Sequence, residues 1–112
     1  MKFLSMISVA ATFVFSVNVS AAHWCEAYID SITPGANGIT IVATSSYDGT
    51  MLDVLTKDYD DDNFGPIYLR ALSAQRNRNL VKVYPVEAKG EDDGARCKDG
   101  IADYLRTMTL VN

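Results

Sequence analysis

The chain is poor in the residues on which most enzymes depend. Its 112 residues include one histidine, two cysteines and one tryptophan. Neither a Gly-x-Ser-x-Gly nor a His-Glu-x-x-His pattern occurs, and the single histidine, His23, lies at the edge of the predicted domain. We therefore predict a protein that is not an enzyme, with no catalytic residues, no cofactor and no metal site.

Basic side chains are also scarce. Without the first 22 residues, nine basic and 14 acidic residues remain, a formal net charge of −5. Binding through nucleic-acid phosphates needs a basic stripe, which this charge balance does not supply. Beyond residue 22 no apolar stretch approaches the roughly 18 residues of a membrane-spanning helix. The sequence predicts neither a nucleic-acid partner nor a membrane span.

The N-terminal segment has the layout of a secretory signal peptide. Lys2 is followed by a mostly apolar run over residues 3–17 and then by the small residues Ser20, Ala21 and Ala22. The run is short and interrupted by Ser and Thr, which favours cleavage over anchoring. We expect residues 1–22 to be removed and residues 23–112 to form a single exported domain, periplasmic or secreted.

Both cysteines, Cys25 and Cys97, lie in the exported part. Two cysteines in an oxidising compartment most simply pair with each other. Such a disulfide would close a loop of about 70 residues and add roughly 4 kcal/mol of stability. The other interpretations are a metal site, for which His23 is the one histidine at hand, and a reactive thiol.

Residue patterns predict five strands and one helix. Apolar residues alternate or β-branched residues cluster in the strands, Asp48-Gly49 predicts a hairpin, and a three-to-four residue period predicts the helix. On this helix the apolar face is Phe64, Tyr68, Ala71, Leu72 and Gln75, so we expect Leu72 to be buried, together with Val83 of the fourth strand. The predicted strands are 24–33, 39–47, 50–56, 80–87 and 101–111, with the helix over 64–77.

The order β-β-β-α-β-β predicts a mainly β domain with one helix, an OB-fold-like five-stranded barrel. In that barrel the first strand pairs antiparallel with the fourth. The start of strand one, at Cys25, then lies near the end of strand four, which precedes Cys97. The alternative is an α+β sheet with the helix packed on one face.

A resemblance follows from the second half of the chain. The segment IYLRALSAQ at residues 67–75 runs into LVKVY at residues 80–84, between Cys25 and Cys97. This resembles the B subunits of subtilase-cytotoxin-type AB5 toxins and related small exported bacterial proteins. The resemblance implies a pentamer that binds cell-surface glycans. No sugar-contacting residue is carried over from it.

Two polar clusters are candidate sites. Ser45, Ser46, Tyr47 and Asp48 combine hydroxyls, an aromatic ring and a carboxylate, which suits a sugar, although such residues are also ordinary at strand ends. The acidic run at residues 58–63 lacks the glycine and glutamate of an EF-hand, which favours a solvated loop that serves the helix N-terminus.

The sequence therefore predicts a small exported binding module. Its expected partner is a glycan or a protein subunit, and a homo-oligomer would accord with the resemblance. The alternative is a stand-alone periplasmic protein with a structural or accessory role and no ligand site.

Overall fold

The computed structural model describes residues 24–111. The predicted cleaved segment, residues 1–22, lies outside the described residues. The described elements, in chain order, are β1 (Cys25–Pro34), β2 (Gly38–Ser45), β3 (Leu55–Asp58), α1 (Phe64–Asn77), β4 (Leu80–Val86) and β5 (Asp103–Leu110). A mainly β fold with one helix between the third and fourth strands is confirmed.

The five strands close into a ring in the order β1-β2-β3-β5-β4, with β4 returning to β1. The β1–β4 pairing is antiparallel, as predicted. It runs from Cys25 opposite Val83 to Tyr28 opposite Leu80. The β3–β5 pairing is parallel and consists of two residue pairs, Leu55 with Asp103 and Thr56 with Tyr104. This short pairing is the seam at which the ring closes.

The interior of the ring is filled by alternate residues of the strands, because successive side chains of a strand point to opposite faces. Val83 is fully buried, as predicted. The core cluster includes Ala27, Ile29, Ile39, Ile41, Ala43, Leu55, Val81, Val83, Leu105 and Met108.

The helix α1 packs against β1 and β5 through a face that matches the predicted one in part, because Ala71 is buried and Phe64 and Tyr68 pack against the core cluster. Its buried residues are Ile67, Ala71 and Ala74, whereas Leu72 is half-buried. The prediction that Leu72 is buried was therefore wrong. Ala71 and Ala74 carry only methyl side chains, so the helix can pack close to the strands of the ring on this face.

The third strand is shorter and later than predicted. Residues 50–54 contribute one isolated bridge, Thr44 with Met51, and β3 begins only at Leu55. The backbone N–H of Asp53 donates instead to the carbonyl oxygen of Cys97, in the loop before β5, which takes this residue out of the pairing with β2. Likewise β2 ends at Ser45, two residues before the predicted end.

Candidate functional site

An open cleft of about 620 Å³ lies at the end of the ring where β1 begins and β2 ends. The disulfide between Cys25 and Cys97, with Cα atoms 6.1 Å apart, contributes to its wall. The bridge joins the first residue of β1 to the loop before β5 and so holds two remote segments against one space. The lining residues are Trp24, Cys25, Glu26, Ser45, Ser46, Tyr47, Leu52, Cys97 and Lys98.

The disulfide is the predicted one, and its surroundings are ordered by backbone hydrogen bonds. Cys25 is buried, and the carbonyl oxygen of Cys97 accepts a hydrogen bond of 2.9 Å from the backbone of Asp53. Leu52, beside Asp53, is buried and donates its backbone N–H to Ala43. The inner wall of the cleft, at Cys25 and Leu52, is therefore preorganised for a ligand.

Two aromatic side chains offer rings to solvent at this cleft. Tyr47 is 94% exposed and Trp24 is 43% exposed. The Trp24 ring packs at 5.1 Å, centroid to centroid, against that of buried Tyr84. Tyr84 thus contacts the indole with its ring tilted by 51°, whereas the ring of Tyr47 lies almost entirely in solvent.

The four predicted ligand residues, Ser45 to Asp48, follow one another through the turn after β2, but they differ in role. The Ser45 hydroxyl is buried and accepts a hydrogen bond of 3.1 Å from the Tyr47 backbone, so it shapes the turn. Ser46 donates both its backbone N–H and its hydroxyl to the carbonyl oxygen of Glu26. Ser45, Ser46 and Tyr47 line the cleft, and Asp48 is not among its lining residues.

Asp48 instead anchors a cleft residue. Its carboxylate pairs with the ammonium group of Lys98 and accepts hydrogen bonds from the backbone and hydroxyl of Thr50. The hydrogen bond from Lys98, followed by those from Thr50, holds the pKa of Asp48 well below its usual range. Asp48 is therefore a carboxylate that positions Lys98 at the cleft.

The sequence reasoning did not find Trp24, Glu26 and Lys98. A signal for all three was present, because Trp24 and Glu26 flank Cys25 and Lys98 follows Cys97. A disulfide between Cys25 and Cys97 places Trp24 and Lys98 at the same end of the fold. Glu26 comes to the cleft through the antiparallel pairing of β1 with β2, in which Ala27 lies opposite Ser45.

The acidic run at residues 58–63 is engaged with lysines. Lys89 pairs with Asp58 at 3.3 Å and with Asp60 at 2.6 Å, and Lys57 pairs with Asp61 at 3.0 Å. Within residues 24–111, the group of acidic side chains close enough to share a cation lies elsewhere, at Asp53, Asp99 and Asp103. The run also provides Asn63, the residue that precedes the first turn of α1.

Comparisons of the chain with protein-family models, with curated proteins and with solved structures found no match. Over residues 24–111, no helix has both the length and the apolar character needed to cross a bilayer.

Proposed function

We propose that this protein is a small exported, non-enzymatic binding module that recognises a glycan at the cleft beside the disulfide. The observation that carries the proposal is the pairing of an exposed Tyr47 ring with a partly exposed Trp24 ring around one polar cleft. Sugars present an apolar C–H face and a rim of hydroxyls, which matches aromatic faces combined with a few placed polar groups.

The polar groups of the cleft support a neutral or weakly charged sugar. Glu26 supplies acceptors, Lys98 supplies donors, and the Ser46 hydroxyl can do both. Both signs of charge are present, and Lys98 is already paired with Asp48. A ligand held chiefly by its phosphate or carboxylate would need cations free of such pairing.

We further propose that the ring of strands is an OB-fold barrel. Its support is the strand order β1-β2-β3-β5-β4, with the helix placed between β3 and β4. OB-folds bind oligosaccharides and oligonucleotides across their strands and the loops at their ends. The net charge of −5 for residues 23–112 favours the sugar.

Export is part of the same proposal. The signal-like first 22 residues support it, as does a disulfide, which persists in oxidising compartments such as the periplasm. The resemblance of residues 67–75 and 80–84 to the B subunits of AB5 toxins supports a homo-oligomer as the assembled form.

The test is a glycan array probed with the purified exported protein and two variants. Wild type and the control Leu69→Ala, which removes an exposed side chain of α1, are expected to bind the same glycans. Tyr47→Ala is expected to lose most of the signal with an unchanged melting temperature, because Tyr47 is 94% exposed. Absence of any signal from wild type would refute glycan recognition.

Native mass spectrometry of the same sample tests the assembly. A pentamer or other closed oligomer supports the resemblance to B subunits. A monomer that binds no glycan would leave the structural or accessory role as the better description.

A further inference from the structure

Three aspartates that are distant in sequence meet at the seam of the ring. Asp53 precedes β3, Asp99 lies in the loop before β5, and Asp103 is the first residue of β5. One carboxylate oxygen of each lies within 4.8 Å of those of the other two. None of the three forms an ion pair with another residue of the 24–111 segment, whereas six other pairs do occur there.

Asp103 has a buried carboxylate oxygen without a partner, and a cation would supply that partner. The residue is 3% exposed, and its Oδ2 atom is buried without a hydrogen-bond partner among the described residues. Burying an unpaired carboxylate is costly, because the charge loses its hydration and gains nothing in return. Burial, and then the charges of Asp99, Asp53 and Glu87, raise the pKa of Asp103 to about 6.

The other two aspartates are held in place by backbone N–H groups, and Oδ1 of Asp99 accepts a hydrogen bond of 3.0 Å from Ile101 N–H. Asp53 accepts hydrogen bonds of 2.6 Å from Asp99 N–H and 3.0 Å from Gly100 N–H, one to each oxygen. Gly100 has a positive φ of 85°, which lets the loop fold around the carboxylate. Each carboxylate oxygen keeps a further lone pair for a ligand.

We propose that Asp53, Asp99 and Asp103 bind a calcium ion that clamps the β3–β5 seam. Ca²⁺ takes oxygen ligands at about 2.3–2.6 Å in flexible geometry, so oxygens on opposite sides of the ion lie about 5 Å apart. The separations within the cluster fit this spacing. Mg²⁺ demands a tighter, near-ideal octahedron, which three carboxylates from three separate segments suit less well.

The three residues also differ in accessibility in a way that suits an ion. Asp103 is buried, Asp53 is half-buried and Asp99 is exposed, so the cluster opens to solvent on one side. The seam contains only two residue pairs, so few backbone hydrogen bonds hold β3 to β5. An ion bound by Asp53 and Asp103 would join β5 to the segment before β3. It would add a cross-link near the loop that carries Cys97 and Lys98.

The test compares thermal unfolding of the purified exported protein in EDTA and in calcium chloride, with calorimetric titration of calcium alone. At calcium about tenfold above the Kd, which is about 1 mM for weak extracellular sites, the melting temperature should rise by roughly 5–10 °C. Magnesium chloride should give a clearly smaller rise. An equal rise would overturn the assignment to calcium.

The variants separate this site from the other acidic groups. Asp103→Asn should fold, since it removes an unpartnered buried charge, and should lose the calcium response. Asp99→Asn, at the exposed ligand, should lose most of it as well. The control Asp60→Asn makes the same charge change in the 58–63 run and should respond like wild type. If wild type has the same melting temperature in calcium chloride and in EDTA, the site is refuted. It is also refuted if calcium raises the melting temperature of Asp103→Asn and Asp99→Asn as much as that of wild type.

Discussion

The ammonium nitrogen of Lys57 lies 3.0 Å from Oδ2 of Asp61, although the lysine side chain is only 1% exposed. The same ammonium donates to the carbonyl oxygen of Arg106 at 3.1 Å and lies 5.3 Å from the centre of the Tyr104 ring. A lysine with this burial is tolerated because its donors are satisfied. The contact links β3 to β5 and to the segment before α1.

Tyr104 completes this buried group. Its hydroxyl donates to Asp61 at 2.7 Å and accepts from the backbone of Asp58 at 3.0 Å. Burial, together with Asp61, raises the pKa of Tyr104 to about 12, so its hydroxyl keeps its proton at neutral pH. The group lies at the same β3–β5 seam as the aspartate cluster.

Lys57→Met should be strongly destabilising. It removes the cation paired with Asp61 and one of two donors from each acceptor, because Asn63 still donates to the Arg106 carbonyl and Tyr104 still donates to Asp61. We expect a cost of about 3 kcal/mol, the lower end for a broken buried pair. Urea unfolding provides the measurement. Lys89→Met, which breaks ion pairs at the surface, is the control and should have a far smaller effect. Similar losses in both variants would contradict the buried role of Lys57.

Acid should weaken the fold through Asp61. Burial opposes its ionisation, but the hydrogen bonds from Tyr104 and Lys57 outweigh burial and place its pKa below the ordinary 3.8. The unfolded chain therefore binds a proton first, and this stabilisation, present above about pH 4, is lost as pH falls through the folded pKa. Urea midpoints measured from pH 6 to pH 2 should decline less steeply in Asp61→Asn than in the exposed control Asp62→Asn. Equal slopes of urea midpoint against pH in the two variants would contradict the role of Asp61.

The disulfide should contribute about 4 kcal/mol, since it closes a loop with a sequence separation of 72 residues. Cys25→Ala combined with Cys97→Ala should therefore lower the free energy of unfolding by about that amount. It should also weaken any glycan signal, because the bridge holds Trp24 and Lys98 at one cleft. A thiol assay on unreduced, denatured wild type should find no free thiol, and two thiols per chain would refute the bond.

The packing face of α1 can be checked with two substitutions. Ile67 is 1% exposed and faces the ring, so Ile67→Ala should cost about 2–5 kcal/mol. Leu72→Ala, at a half-buried position of the same helix, should cost clearly less in the same urea experiment. A larger loss of stability in Leu72→Ala than in Ile67→Ala would instead support the predicted burial of Leu72.

Gly38 is required by close backbone approach. A β-carbon there would overlap the carbonyl oxygen of Lys57 and lie 2.8 Å from Cα of Asp58, its partner in the β2–β3 pairing. Gly38→Ala should cost at least about 1–3 kcal/mol, since backbone atoms must shift. Gly65→Ala, where an added β-carbon would have no atom within 4 Å beyond its chain neighbours and the backbone of its own helix, should be neutral or more stable by up to about 1 kcal/mol because alanine favours the helix. Equal thermal melts of the two variants would refute the clash.

The sequence by itself determined the order of elements and the disulfide. Alternation, β-branched runs and the helical period are local properties, so they identified four strands, the helix and the Asp48-Gly49 turn close to their observed positions. The pairing of Cys25 with Cys97 followed from their number and the expected export. Three of the four predicted ligand residues do line one cleft, because they are consecutive in the chain.

Only the tertiary structure decided which remote residues meet. Local pattern could not show that the backbone N–H of Asp53 would donate to Cys97 in the loop before β5, so that β3 begins only at Leu55. It could not place Lys57 inside the ring, since a lysine is buried only where distant partners satisfy it. The choice of Ile67 over Leu72 likewise depends on how closely α1 approaches β1 and β5. Ring closure brings these residues together, and closure is a property of long-range register rather than of any short segment.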